Sequence, residues 1–238
     1  MKSAYSIFPL GDNAILIDFG NELNENVNQK LLAIFRKIKD QNLPGVLDVV
    51  PAYSSLTIHY DVMKIFDKAR GKSVFDIITD QLKKIVEDDA EISFEENRKI
   101  SIPVCYDDEF GLDLIYLANE KKLSVEEVIQ LHTAKTYRVY MIGFLPGFAY
   151  MGTVDQRIQM PRKENPRTNV KAGSVGIAGA QTGIYPLQSP GGWQIIGRTP
   201  MQLFNKEKTE PVLLQPGDEI EFFSISKHEF RDYKGGNS

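Results

Sequence analysis

The spacing of backbone breakers changes partway along the chain, and this limits the fold more than any single motif does. Residues 1–98 hold 4 of the 18 glycines and 3 of the 12 prolines, while the rest of the 238-residue sequence holds 14 and 9. A segment poor in breakers sustains helices. One interrupted every few residues holds mainly short extended pieces.

The first part reads as alternating strands and helices. Tyr5–Leu10 and Ala14–Phe19 are strand-like and flank the turn Gly11-Asp12-Asn13, which makes a hairpin. Asn24 reads as an N-cap, and Val27, Leu31, Ile34, Phe35 and Ile38 follow at helical spacing until Pro44-Gly45. Val46–Val50 and Ser55–Tyr60 are strand-like. Ser73 caps a second helix carrying Val74, Ile77, Ile78, Leu82 and Ile85, ended by Glu87-Asp88-Asp89. The order ββαββα predicts a small α+β domain over 1–95, two helices on a sheet.

A linker is expected near Glu95-Glu96-Asn97-Arg98, with a second domain over 98–238. Lys99–Cys105 reads as a strand and Asp113–Glu120 as a short helix. Ser124 with Glu127 forms a capping box for another helix that ends near His132. Then come short β segments, Val139–Gly143, Gly173–Gly179, Trp193–Gly197 and Asp218–Ser224, the pattern of a barrel or sandwich. The tail Lys234–Ser238 reads as disordered.

Charge and side-chain inventory exclude several functions. The net charge of −4 lacks the basic footprint that nucleic-acid or membrane-surface binding needs. Cys105 is the single cysteine, so one chain forms neither a disulfide nor a cysteine zinc cluster, which suits a reducing compartment. His59, His132 and His228 lie far apart, and no metal site is expected. Neither a Walker phosphate loop nor a G-x-S-x-G elbow is present. Met1–Gly11 does not read as a signal peptide, and no apolar stretch approaches a membrane span. A soluble cytoplasmic protein is the expectation.

Residues 165–206 contain no carboxylate at all. Just before and within that window, Pro161-Arg162 and Pro166-Arg167 set two arginines on stiff bases. Their planar forks suit a carboxylate or phosphate, the alternative being a solvated basic loop. Gly143-Phe144-Leu145-Pro146-Gly147-Phe148 sets two phenylalanines beside permissive glycines. Gly179–Pro200 supplies amides, hydroxyls, the phenol of Tyr185 and the sole tryptophan, Trp193, with no Asp, Glu, His or Cys. Such side chains bind and stabilise charge better than they exchange protons near pH 7, and Tyr185 or Lys171 carries a proton only if its pKa falls substantially.

This points to a pocket for a small anionic or amide-bearing ligand. The candidate contacts are Arg162, Arg167, Gln181, Tyr185, Ser189 and Arg198, with Gly147, Gly191 and Gly192 shaping the backbone. Phe144, Phe148 and Trp193 read either as walls or as core. His132 reads either as a pocket contact or as a helix-end histidine satisfied by backbone.

The blocks at 143–148, 161–167, 172–179, Gln181-Thr182-Gly183-Ile184-Tyr185-Pro186 and Ser189-Pro190-Gly191-Gly192-Trp193 resemble the family of 5-oxoprolinase B subunits. It is also labelled allophanate hydrolase subunit 1 and includes the kinase inhibitor KipI. The resemblance spans nearly the whole chain, more loosely in the N-terminal half. It implies a C-terminal cyclophilin-like β-barrel and a carboxyltransferase-type half-site shared with a C-type partner. It further implies a hetero-oligomer in which A-, B- and C-type subunits together hydrolyse 5-oxo-L-proline to L-glutamate, the complex consuming ATP. In that reading Arg162, Arg167 and Tyr185 are the catalytic candidates. His132, Phe144, Gly147, Phe148, Gln181, Ser189, Gly191, Gly192, Trp193 and Arg198 bind substrate. The family also admits a regulator that docks on a histidine kinase, or half of a urea or allophanate pathway carboxyltransferase.

Overall fold

The computed structural model describes residues 5–20, 24–66, 71–88 and 97–233. The chain divides into two compact units, Met1–Glu96 and Asn97–Ser238.

In the first unit, β1 (Ser6–Pro9), β2 (Ala14–Asp18), β3 (Val46–Pro51) and β4 (Ser55–Tyr60) form an antiparallel sheet in the order β1-β2-β4-β3. Helix α1 is Glu25–Gln41, and the side chain of Asn24 accepts from the backbone of Asn26 and Val27. A short helix, α2 (Val62–Phe66), adds to the expected order. The Asp61 carboxylate starts it by accepting from the N–H groups of Met63 and Lys64. Helix α3 is Val74–Glu87, capped by Ser73. Ile15 and Ile17 pair with Ile58 and Leu56 across β2 and β4. They join Leu31, Ile34 and Ile38 of α1 and Ile78 and Leu82 of α3 in one buried core. Each such side chain contributes roughly 1.5–3 kcal/mol by leaving water. Asp89, Glu95 and Glu96 lie outside the described residues, as does the 234–238 tail.

The second unit begins with β5 (Lys99–Val104), α4 (Leu114–Lys121) and α5 (Val125–Thr133). The capping box of Ser124 and Glu127 is formed in full. Next come β6 (Thr136–Ile142), β7 (Ala149–Gly152), β8 (Arg167–Val170), β9 (Ser174–Ala178) and β10 (Gln181–Ile184). β11 (Ser189–Gly191), β12 (Gln194–Arg198), β13 (Glu219–Ser224) and α6 (Lys227–Asp232) complete it. Seven strands pair in the order β12-β9-β10-β7-β6-β13-β5, and β8 pairs with β11. Among the described strands of this unit, only β13 and β5 run parallel.

This sheet curls until its two edge strands meet. Cys105, just after β5, and Arg198, the last residue of β12, exchange backbone hydrogen bonds of 2.8 and 2.9 Å. Gly197 permits the approach, because a Cβ there would stand 2.7 Å from Val104 and 2.9 Å from the Cys105 carbonyl. Closing the edges leaves fewer unpaired backbone groups. One side of the curled sheet holds the main core, including Ile102, Tyr137, Met151, Ile177 and Ile220 with Leu117 of α4 and Val128 of α5. A separate cluster gathers Phe148, Val170, Ala178, Tyr185, Trp193 and Ile195.

Candidate functional site

Three members of the smaller cluster, Phe148, Tyr185 and Trp193, line an open cavity of about 210 Å³. The β6–β7 loop brings Phe144 and Phe148 to it, and the segment leading to β8 brings Arg162 and Pro166. Tyr185 follows β10, Gly191 ends β11, and Gly192 and Trp193 link β11 to β12. Tyr150 and Pro190 complete the lining.

Phe148 is the hub of the wall. Its ring meets Tyr185 edge-on at 5.2 Å between centroids, Trp193 at 5.4 Å and Phe144 at 5.6 Å. T-shaped pairs place a positive ring edge on a negative face and fix mutual orientation. Phe148, Tyr185 and Trp193 are buried and also line the cavity, so the choice between wall and core resolves as both. Phe144 differs: it is 63% exposed and holds a backbone φ of +67°. A non-glycine residue in that region is strained, a condition found repeatedly at ligand sites. Gly191 has no room for a side chain, since a Cβ would run into the Tyr185 ring.

The cationic segment is tied down at several atoms. The Lys163 N–H donates to the Gly192 carbonyl at 2.7 Å, and the Gln194 amide donates to the Pro161 carbonyl at 3.0 Å. These bonds flank Arg162, whose guanidinium lies 6.0 Å from the centre of the Trp193 ring. Among the described residues no carboxylate pairs with Arg162. Arg167 turns elsewhere: both of its terminal nitrogens donate to Asp113, each at 2.7 Å. Lys163 donates to the same carboxylate at 2.9 Å, and the Ile195 N–H at 2.7 Å. Burial pushes the Asp113 carboxyl up, but the bonds from Arg167, Lys163 and Ile195 outweigh it and hold the group below the usual carboxylate range. Three of the five cations in the run at 157–171 are therefore held by carboxylates, Lys163 and Arg167 sharing Asp113 and Arg157 paired to Asp155.

The structure brings together Arg162, Phe144, Phe148, Tyr185, Gly191, Gly192 and Trp193. It separates the other candidates from the cavity wall. His132 is wholly buried on α5, its ring packed against those of Tyr137 and Phe222, which also touch each other. Thr182 Oγ1 donates to the Gly176 carbonyl, so His132 Nε2–H donates to Thr182 at 3.0 Å and Nδ1 accepts from the Tyr106 hydroxyl at 2.8 Å. Burial drives this imidazole down to about 3, leaving it a neutral core group. Arg198 donates to the Ala172 carbonyl and lies over Phe230. Gln181 pairs with Gly152 and Ala178 at the end of β10 away from Tyr185. Ser189 is buried beside the wall, its hydroxyl on the Pro190 carbonyl. Gly147, at φ +81°, abuts Leu203 and Phe204 behind the loop. Burial pushes the Tyr185 phenol up, with the Trp193 backbone N–H and Arg162 pulling less strongly the other way, which disfavours the phenolate a base would need.

Sequence reasoning missed Asp113. It reads as the start of a helix and does sit at the N-cap of α4, yet its side chain makes no cap bond. No local pattern links it to residues 50 and 54 positions later. Among the described residues no group of three His, Cys, Asp or Glu could hold a metal ion. Nor is any described helix long and apolar enough to cross a membrane.

Residues 5–214 match the family described as carboxyltransferase domain, subdomain C and D. The 5-oxoprolinase B subunit of Bacillus subtilis is 44% identical over 98% of both chains. Urea amidolyase of Saccharomyces cerevisiae is 27% identical over 92% of this chain and 13% of its own. The crystal structure of TTHA0988 superposes with a TM-score of 0.76 at 37% identity, covering 90% of this chain. This chain spans about 40% of the length of TTHA0988.

Proposed function

The chain belongs to the family of carboxyltransferase subdomains C and D that includes the 5-oxoprolinase B subunits, and from that premise we propose that it is the B component of a 5-oxoprolinase. In this reading it works with A- and C-type subunits, and the complex consumes ATP while hydrolysing 5-oxo-L-proline to L-glutamate. The observation that carries the reading is 44% identity along essentially the full length of such a B component.

The cavity chemistry supports it. 5-Oxoproline is a small planar lactam bearing one carboxylate. Arg162 offers an uncompensated guanidinium for that carboxylate, and the Phe148, Tyr185 and Trp193 rings offer faces and edges for the lactam. Opening the ring breaks the C–N bond and adds water across it. Phosphorylation of the lactam oxygen by ATP would make that carbon electrophilic and create an anion for the guanidinium to hold. Among the described residues, the cavity wall carries no carboxylate, histidine or cysteine. A nucleophile, a base and the nucleotide are accordingly assigned to companion subunits. The second unit is read as a cyclophilin-like barrel and the protein as cytoplasmic.

Reconstitution tests this reading. Purified chain mixed with its A and C partners should give ATP-dependent release of glutamate from 5-oxoproline. Full activity with this chain omitted would overturn it. The likeness to urea amidolyase supports a second reading, a carboxyltransferase half-site acting on urea. Urea-dependent carboxyl acceptance, with no response to 5-oxoproline, would favour that reading instead.

A further inference from the structure

Asp113 is not among the residues that line the cavity, yet four hydrogen bonds converge on its carboxylate. It is 2% exposed, on a helix N-cap it does not use for capping. We propose that Asp113 is a positioning residue for the anion site. By holding both Lys163 and Arg167 it fixes the 161–167 segment so that Arg162, the one of these three cations without a carboxylate partner among the described residues, stands beside Trp193. The inference rests on the reading of this cavity as the ligand site.

The geometry gives the reason. Arg162, Lys163 and Arg167 are three cations within six residues that include one acid, Glu164, and without Asp113 they would repel one another and spread. Asp113 accepts two of them in a fork held at 2.7–2.9 Å. Its fourth bond, from the Ile195 N–H, anchors the carboxylate to β12, two residues from Trp193. The Lys163 backbone is fastened to Gly192, in the same wall. Asp113 thus joins the cationic segment to the strand that bears the aromatic wall, and Arg162 is the member left over. Glu164, adjacent to the pair, forms no ion pair with either cation among the described residues.

The test uses the full chain and its single tryptophan, which lines the cavity. Iodide quenching of Trp193 emission, divided by quenching with neutral acrylamide, reads the local positive charge. Arg162→Gln should lower that ratio by at least about two-fold in the otherwise unchanged chain. In the Asp113→Asn background the same Arg162→Gln change should have little effect, because the guanidinium is no longer held there. Asp113→Glu should restore part of the dependence. An Arg162 effect of equal size in both backgrounds would overturn the proposal, and so would a ratio indifferent to Arg162 in the unchanged chain. If Asp113→Asn fails to fold, Lys163→Met and Arg167→Lys, which loosen the fork from the other side, serve in its place under the same criterion. A parallel titration of Trp193 emission with 5-oxo-L-proline separates the two ideas. No response to 5-oxoproline with the quenching cycle intact would sink the substrate reading and keep the positioning role. A response to 5-oxoproline without the cycle would do the reverse.

Discussion

Asp113 and Arg167 stand 54 residues apart in the chain and meet fork to fork, with two bonds of 2.7 Å. The carboxylate is 3% exposed and the guanidinium 25%, so the pair sits at the boundary between core and solvent. Lys163 shares the same acid at 2.9 Å.

Removing that acid should be costly. Deleting one partner of a buried ion pair strands the other, at roughly 3–5 kcal/mol; here the two cations keep a quarter of their surface in water, which brings the expectation for Asp113→Ala to about 2–4 kcal/mol. Urea unfolding at neutral pH measures it. A loss under about 0.5 kcal/mol, the size of an ordinary surface change, would show that the fork contributes nothing to stability.

His132 should make the protein acid-sensitive. Burial holds its imidazole near 3 in the folded chain, against 6.5 for a free one. Between those values the unfolded state binds more protons, so stability falls as pH drops through that window, by up to about 1.4 kcal/mol per pH unit. Unfolding midpoints at pH 7 and pH 5 should differ for the unchanged chain and converge for His132→Gln. Equal midpoints for the unchanged chain would contradict a buried neutral imidazole. Nitrogen NMR should show the proton on Nε2.

Tyr185 should bind without titrating. Its phenol is pushed up by burial, so it keeps its proton through the neutral and mildly alkaline range. Tyr185→Phe should weaken the response to 5-oxoproline while leaving the pH profile of the reconstituted activity unshifted between pH 7 and pH 9. An alkaline limb that disappears in Tyr185→Phe would restore it as a proton carrier.

Phe144 should trade stability against binding. Its φ of +67° is a conformation that glycine adopts without strain, so Phe144→Gly should relieve on the order of 1 kcal/mol of backbone strain. Its ring also stands edge-on to Phe148 at the cavity mouth, so the same change should weaken ligand binding. A thermal melt and a ligand titration on one variant read both. Unchanged binding would make the exposed ring a surface feature only.

Most of the secondary structure was legible from local pattern. Asn24, Ser73 and Ser124 each read as a helix start and each caps one, because a cap bond spans only two or three residues and depends on little else. Helix α2 was missed because a single turn started by Asp61 has no room for an apolar period. The acid-free stretch and the aromatic and Pro-Arg blocks marked the right part of the chain, and seven of the candidate residues line one cavity. Pattern could not say which arginine faces the cavity. Arg162 and Arg167 have the same Pro-Arg context, and their difference is made by Asp113, delivered by α4 from outside the window. It could not place His132 in the core either, since its partners Tyr106 and Thr182 lie 26 and 50 residues away. Caps and hydrophobic periods act over one turn of backbone. Ion-pair partners, burial and the meeting of the sheet edges at Cys105 and Arg198 depend on how distant segments pack, and they exist only once the chain has folded.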